Sequence, residues 1–431
     1  MRPIGIKTID NLTYLNNHLI TDLVKEYGTP LYAIDDVQLN KNIDDYKTSF
    51  RSSMFATSIV YASKALLTKD LAHIMQRNGF MMDAVSIGDL YVIKESGFDL
   101  KNVVFHGNNK SLDELDFAIE NGVGIIVVDN LFELKMLAEL SNTKGIKQRI
   151  MLRINPEVEA HTHEYIQTAR IESKFGINID DMQKLDEALW LIHLSPYLEL
   201  LGFHAHIGSN IVEVAPFEQL IKTMVEFQNA INNQYHLSLY QLNIGGGFGI
   251  NYQKGDGALP IKEMMNQIIC LLEANISTTH SLINHVMIEP GRSVVGDACV
   301  TLYTISQVKT ITSGKNYLFV DGGMTDNIRP ALYQATYEVD IINKLHEKKE
   351  LCVDIVGKCC ESGDIIRKNV LVPNASSGDI LMVYDTGAYT YSMASNYNNQ
   401  LKAPMIRVSK EEVKLVTRRE TLKDLMHLME E

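Results

Sequence analysis

Lys64 closes the apolar run Val60-Tyr61-Ala62-Ser63. A lysine there either carries its amine out to solvent along its stem or uses it as a nucleophile. Solvation is the commoner fate, because lysine is seldom buried. In a desolvated pocket the amine becomes less basic, and Schiff-base chemistry is then open to it. Far downstream, Ile244-Gly245-Gly246-Gly247-Phe248-Gly249 offers backbone without side chains, which an anion can approach closely, although tight turns use the same residues. It lacks the Gly-Lys-Ser/Thr of a P-loop and the GxGxxG spacing of a dinucleotide site. Glu289, in Ile288-Glu289-Pro290-Gly291-Arg292, ends another apolar run. Its plain reading is an ion pair with Arg292, and its chemical reading is a partner for a heterocyclic nitrogen. An imine-forming lysine, a phosphate cradle and such a carboxylate together describe a site for pyridoxal 5'-phosphate. Cys360 directly precedes Glu361 and the turn-forming Ser362-Gly363-Asp364, and a thiol at such a strand end can donate a proton. Cys270, Cys299 and Cys352 read as packing residues.

These residues need elements to hold them. Eight short runs rich in β-branched and aromatic residues alternate with amphipathic segments: 58–63, 80–85, 103–107, 125–129, 150–155, 201–207, 242–247 and 286–291. Eight strand–helix units over about 230 residues match a parallel (β/α)₈ barrel, with an open doubly wound sheet as the alternative. The strand ends then carry Lys64, Asp83, His106, Asp129, Arg153, His206, Gly245–Gly247, and Glu289 with Arg292. Barrel enzymes build their sites on that face. His204 and His206 share one face of the sixth strand, a spacing that could ligate a metal. Metal-dependent barrel hydrolases carry their His-x-His on the first strand, so a flat imidazole over a pyridine ring is the better use of His206. His161 and His163 lie in a loop-like stretch and read equally as solvated. After residue 292 strands dominate. The expected division is a barrel over 31–285 and a mostly β domain made of 1–30 with 286–431.

The 431 residues carry 40 basic and 53 acidic side chains, a net charge of −13 without a basic cluster, which disfavours nucleic acid as a partner. There is no run of about eighteen apolar residues to span a membrane. The N-terminal residues lack a secretory pattern, and five cysteines form an odd set, so a reduced cytoplasmic protein is expected.

Taken in order, Tyr61-Ala62-Ser63-Lys64-Ala65, Asn155-Pro156, Ser173-Lys174-Phe175-Gly176, His206-Ile207-Gly208-Ser209, the Gly245–Gly249 run, Glu289-Pro290-Gly291-Arg292, Arg329-Pro330-Ala331-Leu332-Tyr333, Cys360-Glu361-Ser362-Gly363-Asp364 and Gly387-Ala388-Tyr389 resemble the diaminopimelate decarboxylase family. The resemblance covers about residues 27–400, and Cys359, which doubles the cysteine, is a mild departure. It implies a fold of the alanine racemase/ornithine decarboxylase type, pyridoxal phosphate as cofactor, and conversion of meso-2,6-diaminopimelate to L-lysine and CO₂. It further implies that Lys64 holds the cofactor, Glu289 its ring nitrogen and Gly245, Gly246, Gly247 and Gly291 its phosphate. His206 would stack on the ring, and Asp83, Ser209, Pro290, Arg292 and Tyr389 would line it, with Arg153 a further neighbour. Cys360 would return a proton to the α-carbon. Arg292, Arg329 and Tyr333, beside Tyr389, would take the distal carboxylate and Glu361 the distal ammonium. A homodimer sharing its sites across the interface is implied. Ornithine- or arginine-type decarboxylases have Asp after the cysteine, and the Cys-Glu-Ser-Gly-Asp form points away from them. A metal-dependent hydrolase and a non-catalytic pyridoxal-phosphate carrier are the alternatives of other classes; the second domain's Arg/Cys/Glu/Tyr set argues against a carrier.

Overall fold

The computed structural model describes residues 2–158 and 174–430. His161, His163 and Ser173 lie outside the described residues. The chain divides into two compact units: Ile43–Gly249 with Gly257–Arg292, and Met1–Asn42 with Ile250–Asp256 and Ser293–Glu431.

The first unit is a closed parallel barrel. Its eight strands are Ala56–Tyr61, Met81–Ala84, Val103–Phe105, Ile125–Val128, Gln148–Asn155, Leu198–His204, Gln241–Gly246 and His285–Glu289. Each pairs in parallel with the next, and the eighth pairs with the first, so the ring closes and an open sheet is excluded. A short ninth strand, Ile177–Asn178, adds to the fifth. Val60, Val104, Ile125, Val127, Met151, Leu201 and Met287 form a buried apolar cluster from six of the eight strands, as expected of a packed barrel interior rather than a pore. The strands read as continuous apolar runs because both faces are covered. Helix starts follow local capping: the Thr68, Ser86, Ser111 and Asn130 side chains each accept a backbone N–H of the first turn.

The second unit is mostly β. The long strand Cys299–Thr310 pairs antiparallel with Leu31–Asp35, Asn316–Val320 and Ile380–Val383. N-terminal residues are tied into this unit, with Asn16 donating to the Val408 carbonyl at 2.7 Å and Thr13 to that of Ile342 at 2.9 Å. The expected boundaries need correction at both ends. Leu31–Asp35 is buried along its whole length between Cys299–Thr310 and Met405–Val408, so it is a central strand of the β unit and does not belong with the barrel, where the bound at residue 31 put it. Conversely His285–Glu289 closes the barrel, which therefore runs on to Arg292. A buried apolar run reads the same in either sheet, and only pairing distinguishes them.

Candidate active site

The barrel's strand ends bring together the residues expected of it. Beyond the first strand Lys64 sits in a short 3₁₀ turn, Ser63–Ala65, with its side chain about a third exposed (36%). Its Nζ lies 2.8 Å from Asp83 Oδ2, at the end of the second strand, while Asp83 Oδ1 accepts the Ser63 N–H at 2.5 Å. One buried carboxylate thus fixes both the turn and the amine it presents.

Glu289 is buried at the end of the eighth strand and held from three others. His106 Nε2 and Asn243 Nδ2 both donate to Oε1 at 2.7 Å, and His204 Nε2 lies 3.3 Å from Oε2. Burial alone would push the carboxyl upward, but the imidazoles of His106 and His204 hold it well below the usual carboxylate range. Glu289 is therefore an ionised carboxylate. His204 is the converse case: burial lowers its pKa to about 4 against the pull of Glu289, so it is a neutral imidazole at ordinary pH.

His206 is also neutral, its pKa driven down first by burial and then by the charges of Lys64 and Arg153. Its Nδ1 accepts the backbone N–H of Gly246 at 3.2 Å, which anchors the ring to the glycine turn. That turn can be built only from glycine. Gly245 has φ of +67°, and a Cβ on Gly246 would lie 1.9 Å from the Glu289 carbonyl oxygen. Gly291 packs against Ala62, whose N–H donates to the Pro290 carbonyl at 2.9 Å, and Arg292 donates to the Ser209 hydroxyl at 2.9 Å. Arg153 lies 3.9 Å from Asp129 and stacks over Phe175 at 4.4 Å, while Asp129 accepts the Gly176 N–H at 3.1 Å.

His106, His204 and Glu289 each offer one ligand atom within 4.8 Å of the others, an arrangement that could hold a cation. Among the described residues His206 is not part of that group, so the His204–His206 spacing weighed as a metal pair is not brought together as one. The fit to pyridoxal phosphate is closer. An accessible amine, a stretch of backbone that no side chain can fill, and a buried ionised carboxylate match its aldehyde, phosphate and ring nitrogen.

The second unit holds the remaining residues. Arg329 is buried, donates to the Tyr337 hydroxyl at 2.9 Å, and lies 5.2 Å and 5.8 Å from the Tyr333 and Tyr389 rings. Tyr389 takes φ of +59°, uncommon for an aromatic residue and a form of backbone strain that concentrates at functional sites. Cys360 and Glu361 are exposed on their loop. Asp364 ties that loop down by accepting the N–H groups of Cys359 at 2.8 Å and Met324 at 2.6 Å, and Asn398 accepts that of Cys360 at 2.7 Å. The Cys359 thiol is pushed up to about 11 by partial burial and by Asp364. Sequence reasoning missed Asn243, whose signal was a polar side chain inside the apolar run Leu242–Ile244, and it gave His106 no role. It also missed Lys110, whose buried amine pairs with Glu133 at 2.8 Å.

The chain is similar to known proteins along most of its length. The family described as pyridoxal-dependent decarboxylase, pyridoxal binding domain, matches residues 37–296. The chain is 41% identical over 410 residues to the diaminopimelate decarboxylase of Bacillus subtilis (strain 168), covering 94% of this chain and 92% of that protein. It is 37% identical over 405 residues to that of Staphylococcus aureus (strain COL), covering 94% of each. Among solved structures it is similar to the diaminopimelate decarboxylase of M. jannaschii in co-complex with L-lysine, with a TM-score of 0.93 and 28% identity over 100% of this chain and 99% of the other. With a lysine, a glycine cradle and a carboxylate at the mouth of a closed barrel, the chain belongs to the diaminopimelate decarboxylase family of pyridoxal-dependent decarboxylases.

Proposed function

We propose that this chain is a carboxy-lyase that removes CO₂ from the D-centre of meso-2,6-diaminopimelate and leaves L-lysine, the last step of lysine biosynthesis. The observation that carries the reading is the grouping of the Lys64 amine, the Gly245–Gly247 cradle and the ionised Glu289 at one barrel mouth, in a chain with such relatives. Pyridoxal phosphate, when bound, supplies an electron sink for the carbanion left by departing CO₂. The chain does the rest. Lys64 holds the cofactor covalently and Asp83 keeps its amine oriented. Glu289, as an anion, would hold the ring nitrogen, and neutral His206 would lie against the ring without adding charge. Gly245, Gly246, Gly247 and Gly291 would leave room for the phosphate beside the Ser209 hydroxyl, and Pro290, Arg292 and Tyr389 would border the cofactor.

Cys360 delivers the proton to the α-carbon. Arg292, Arg329 and Tyr333 take the distal carboxylate, and Glu361 the distal ammonium. The working unit is a homodimer in which Cys360 and Glu361 serve the partner's barrel, a reading supported by their exposure within one chain. Five free cysteines suit a reducing, cytoplasmic setting. Borohydride reduction of the cofactor-loaded enzyme followed by peptide mapping tests the attachment: the label belongs on Lys64, and a label on another lysine would overturn the site.

A further inference from the structure

The two oxygens of Glu289 are not equivalent. Oε1 receives two short hydrogen bonds, from His106 and Asn243, both at 2.7 Å, whereas among the described residues Oε2 has only the 3.3 Å approach of His204. An anionic carboxylate oxygen taking two good donors is close to satisfied, so Oε2 retains capacity for another partner. The holders are themselves fixed. His106 is buried at the end of the third strand with its backbone N–H on the Ala84 carbonyl at 2.8 Å, and its ring packs on that of His204 with centroids 4.9 Å apart. Asn243 is fully buried and works at both ends: Nδ2 donates to Glu289, and Oδ1 accepts the Gly245 N–H at 2.9 Å. It therefore couples the carboxylate to the glycine turn. The charged group facing Glu289 from the fifth strand is Arg153, whose interaction is through space.

We propose that His106 and Asn243 are positioning residues that clamp Glu289 Oε1 and so keep the proton shared between Oε2 and the cofactor's ring nitrogen on the nitrogen. The inference rests on the reading of Glu289 as the ring nitrogen's partner. The pair has one proton and two arrangements, a carboxylate with a protonated ring or a carboxylic acid with a neutral ring. Each N–H donated to Oε1 stabilises the first and not the second, because a neutral acid is a weaker acceptor. Removing a donor moves the proton toward oxygen, with no atom gained or lost. His106→Phe keeps a ring of similar shape without the donor. His106→Gln restores an N–H at nearly the same reach.

The test is the ¹⁵N chemical shift of the ring nitrogen in enzyme loaded with ¹⁵N-pyridoxal phosphate, alongside the dissociation constant for that cofactor. The wild type and His106→Gln are expected to show a protonated ring. His106→Phe is expected to shift toward the neutral value and to bind the cofactor roughly tenfold more weakly. If His106→Phe does not fold, Asn243→Ala carries the same expectation. A protonated ring in the donor-deleted variant, with Glu289→Gln giving a neutral one, overturns the clamp while leaving Glu289's role intact. A protonated ring in Glu289→Gln overturns that role and the clamp with it. A purely structural histidine would lower thermal stability and leave the shift where it was.

Discussion

Asp83 receives the Lys64 amine on one oxygen at 2.8 Å and the Ser63 backbone N–H on the other at 2.5 Å, so one carboxylate sets both the lysine and the turn that carries it. The two roles separate by substitution. Asp83→Ala leaves the buried Ser63 N–H without its acceptor and is expected to cost about 1–3 kcal/mol, lowering Tm by several degrees. Asp83→Asn keeps an acceptor for Ser63 and is expected to melt within a degree or two of wild type, roughly, while losing the counter-charge to Lys64. Calorimetry of both variants checks this, and equal Tm losses would mean that the contact with Ser63 is not what holds the turn.

Gly246 tests the cradle. A Cβ there would meet the Glu289 carbonyl oxygen at 1.9 Å, and backbone cannot yield as a flexible side chain can. Gly246→Ala is expected to destabilise by about 3 kcal/mol or more, or to fail to fold. Gly363→Ala is the control: its nearest neighbour is a Glu361 side-chain atom at 3.7 Å, and a change within about 0.5 kcal/mol is expected in denaturant unfolding. A stable Gly246→Ala protein would mean the turn is looser than drawn.

The β unit carries a pH signature. Asp326 is buried, accepts the Gly323 N–H at 2.9 Å, and is pushed by burial from 3.8 up to about 7. The folded state thus holds a proton that the unfolded chain has already released above pH 4. Stability tied to that proton is present below about pH 4 and is lost as pH rises toward 7. Asp326→Asn is fixed in the neutral form. Its stability relative to wild type is expected to grow by something on the order of 4 kcal/mol between pH 4 and pH 8. Asp297 and Asp385, also raised by burial, and His204, lowered by it, are common to both proteins and cancel in the comparison. Parallel stability curves would show that Asp326 keeps its ordinary acidity.

Much of this was legible in the residues, for physical reasons. The barrel could be read because each strand is a short apolar run with a polar or glycine residue at its end, and because eight such units form a closed ring. Lys64, Glu289 and the Gly245–Gly247 run stood out because an amine, a carboxylate and bare backbone have little use in a packed strand end. Leu31–Asp35 was misassigned because a fully buried strand carries no mark of which sheet it pairs with. Asn243 was overlooked, and Asp364 was read only as part of a turn, because their work is hydrogen bonding to groups such as Glu289 and the Met324 N–H that lie far away in sequence. No periodicity reveals such partners.

The proposed dimer predicts complementation. Lys64→Ala and Cys360→Ala proteins are each expected to be inactive. After subunit exchange with random pairing about half the dimers are mixed, and each has one intact site, so about a quarter of all sites should work. Continued inactivity after exchange has been demonstrated by mass would place Cys360 with the barrel of its own chain.

The most direct test of the account is the release of CO₂ from meso-diaminopimelate by the pyridoxal-phosphate-loaded enzyme, compared with L-lysine and L-ornithine. The diamines lack the distal carboxylate, and binding them would leave guanidinium groups such as that of buried Arg329 without their partner. The account predicts L-lysine as product and a kcat/KM for either diamine lower by about three orders of magnitude or more. Arg329→Met should narrow that gap mainly by losing activity on diaminopimelate. Comparable wild-type rates on ornithine, or no CO₂ from meso-diaminopimelate, would contradict it.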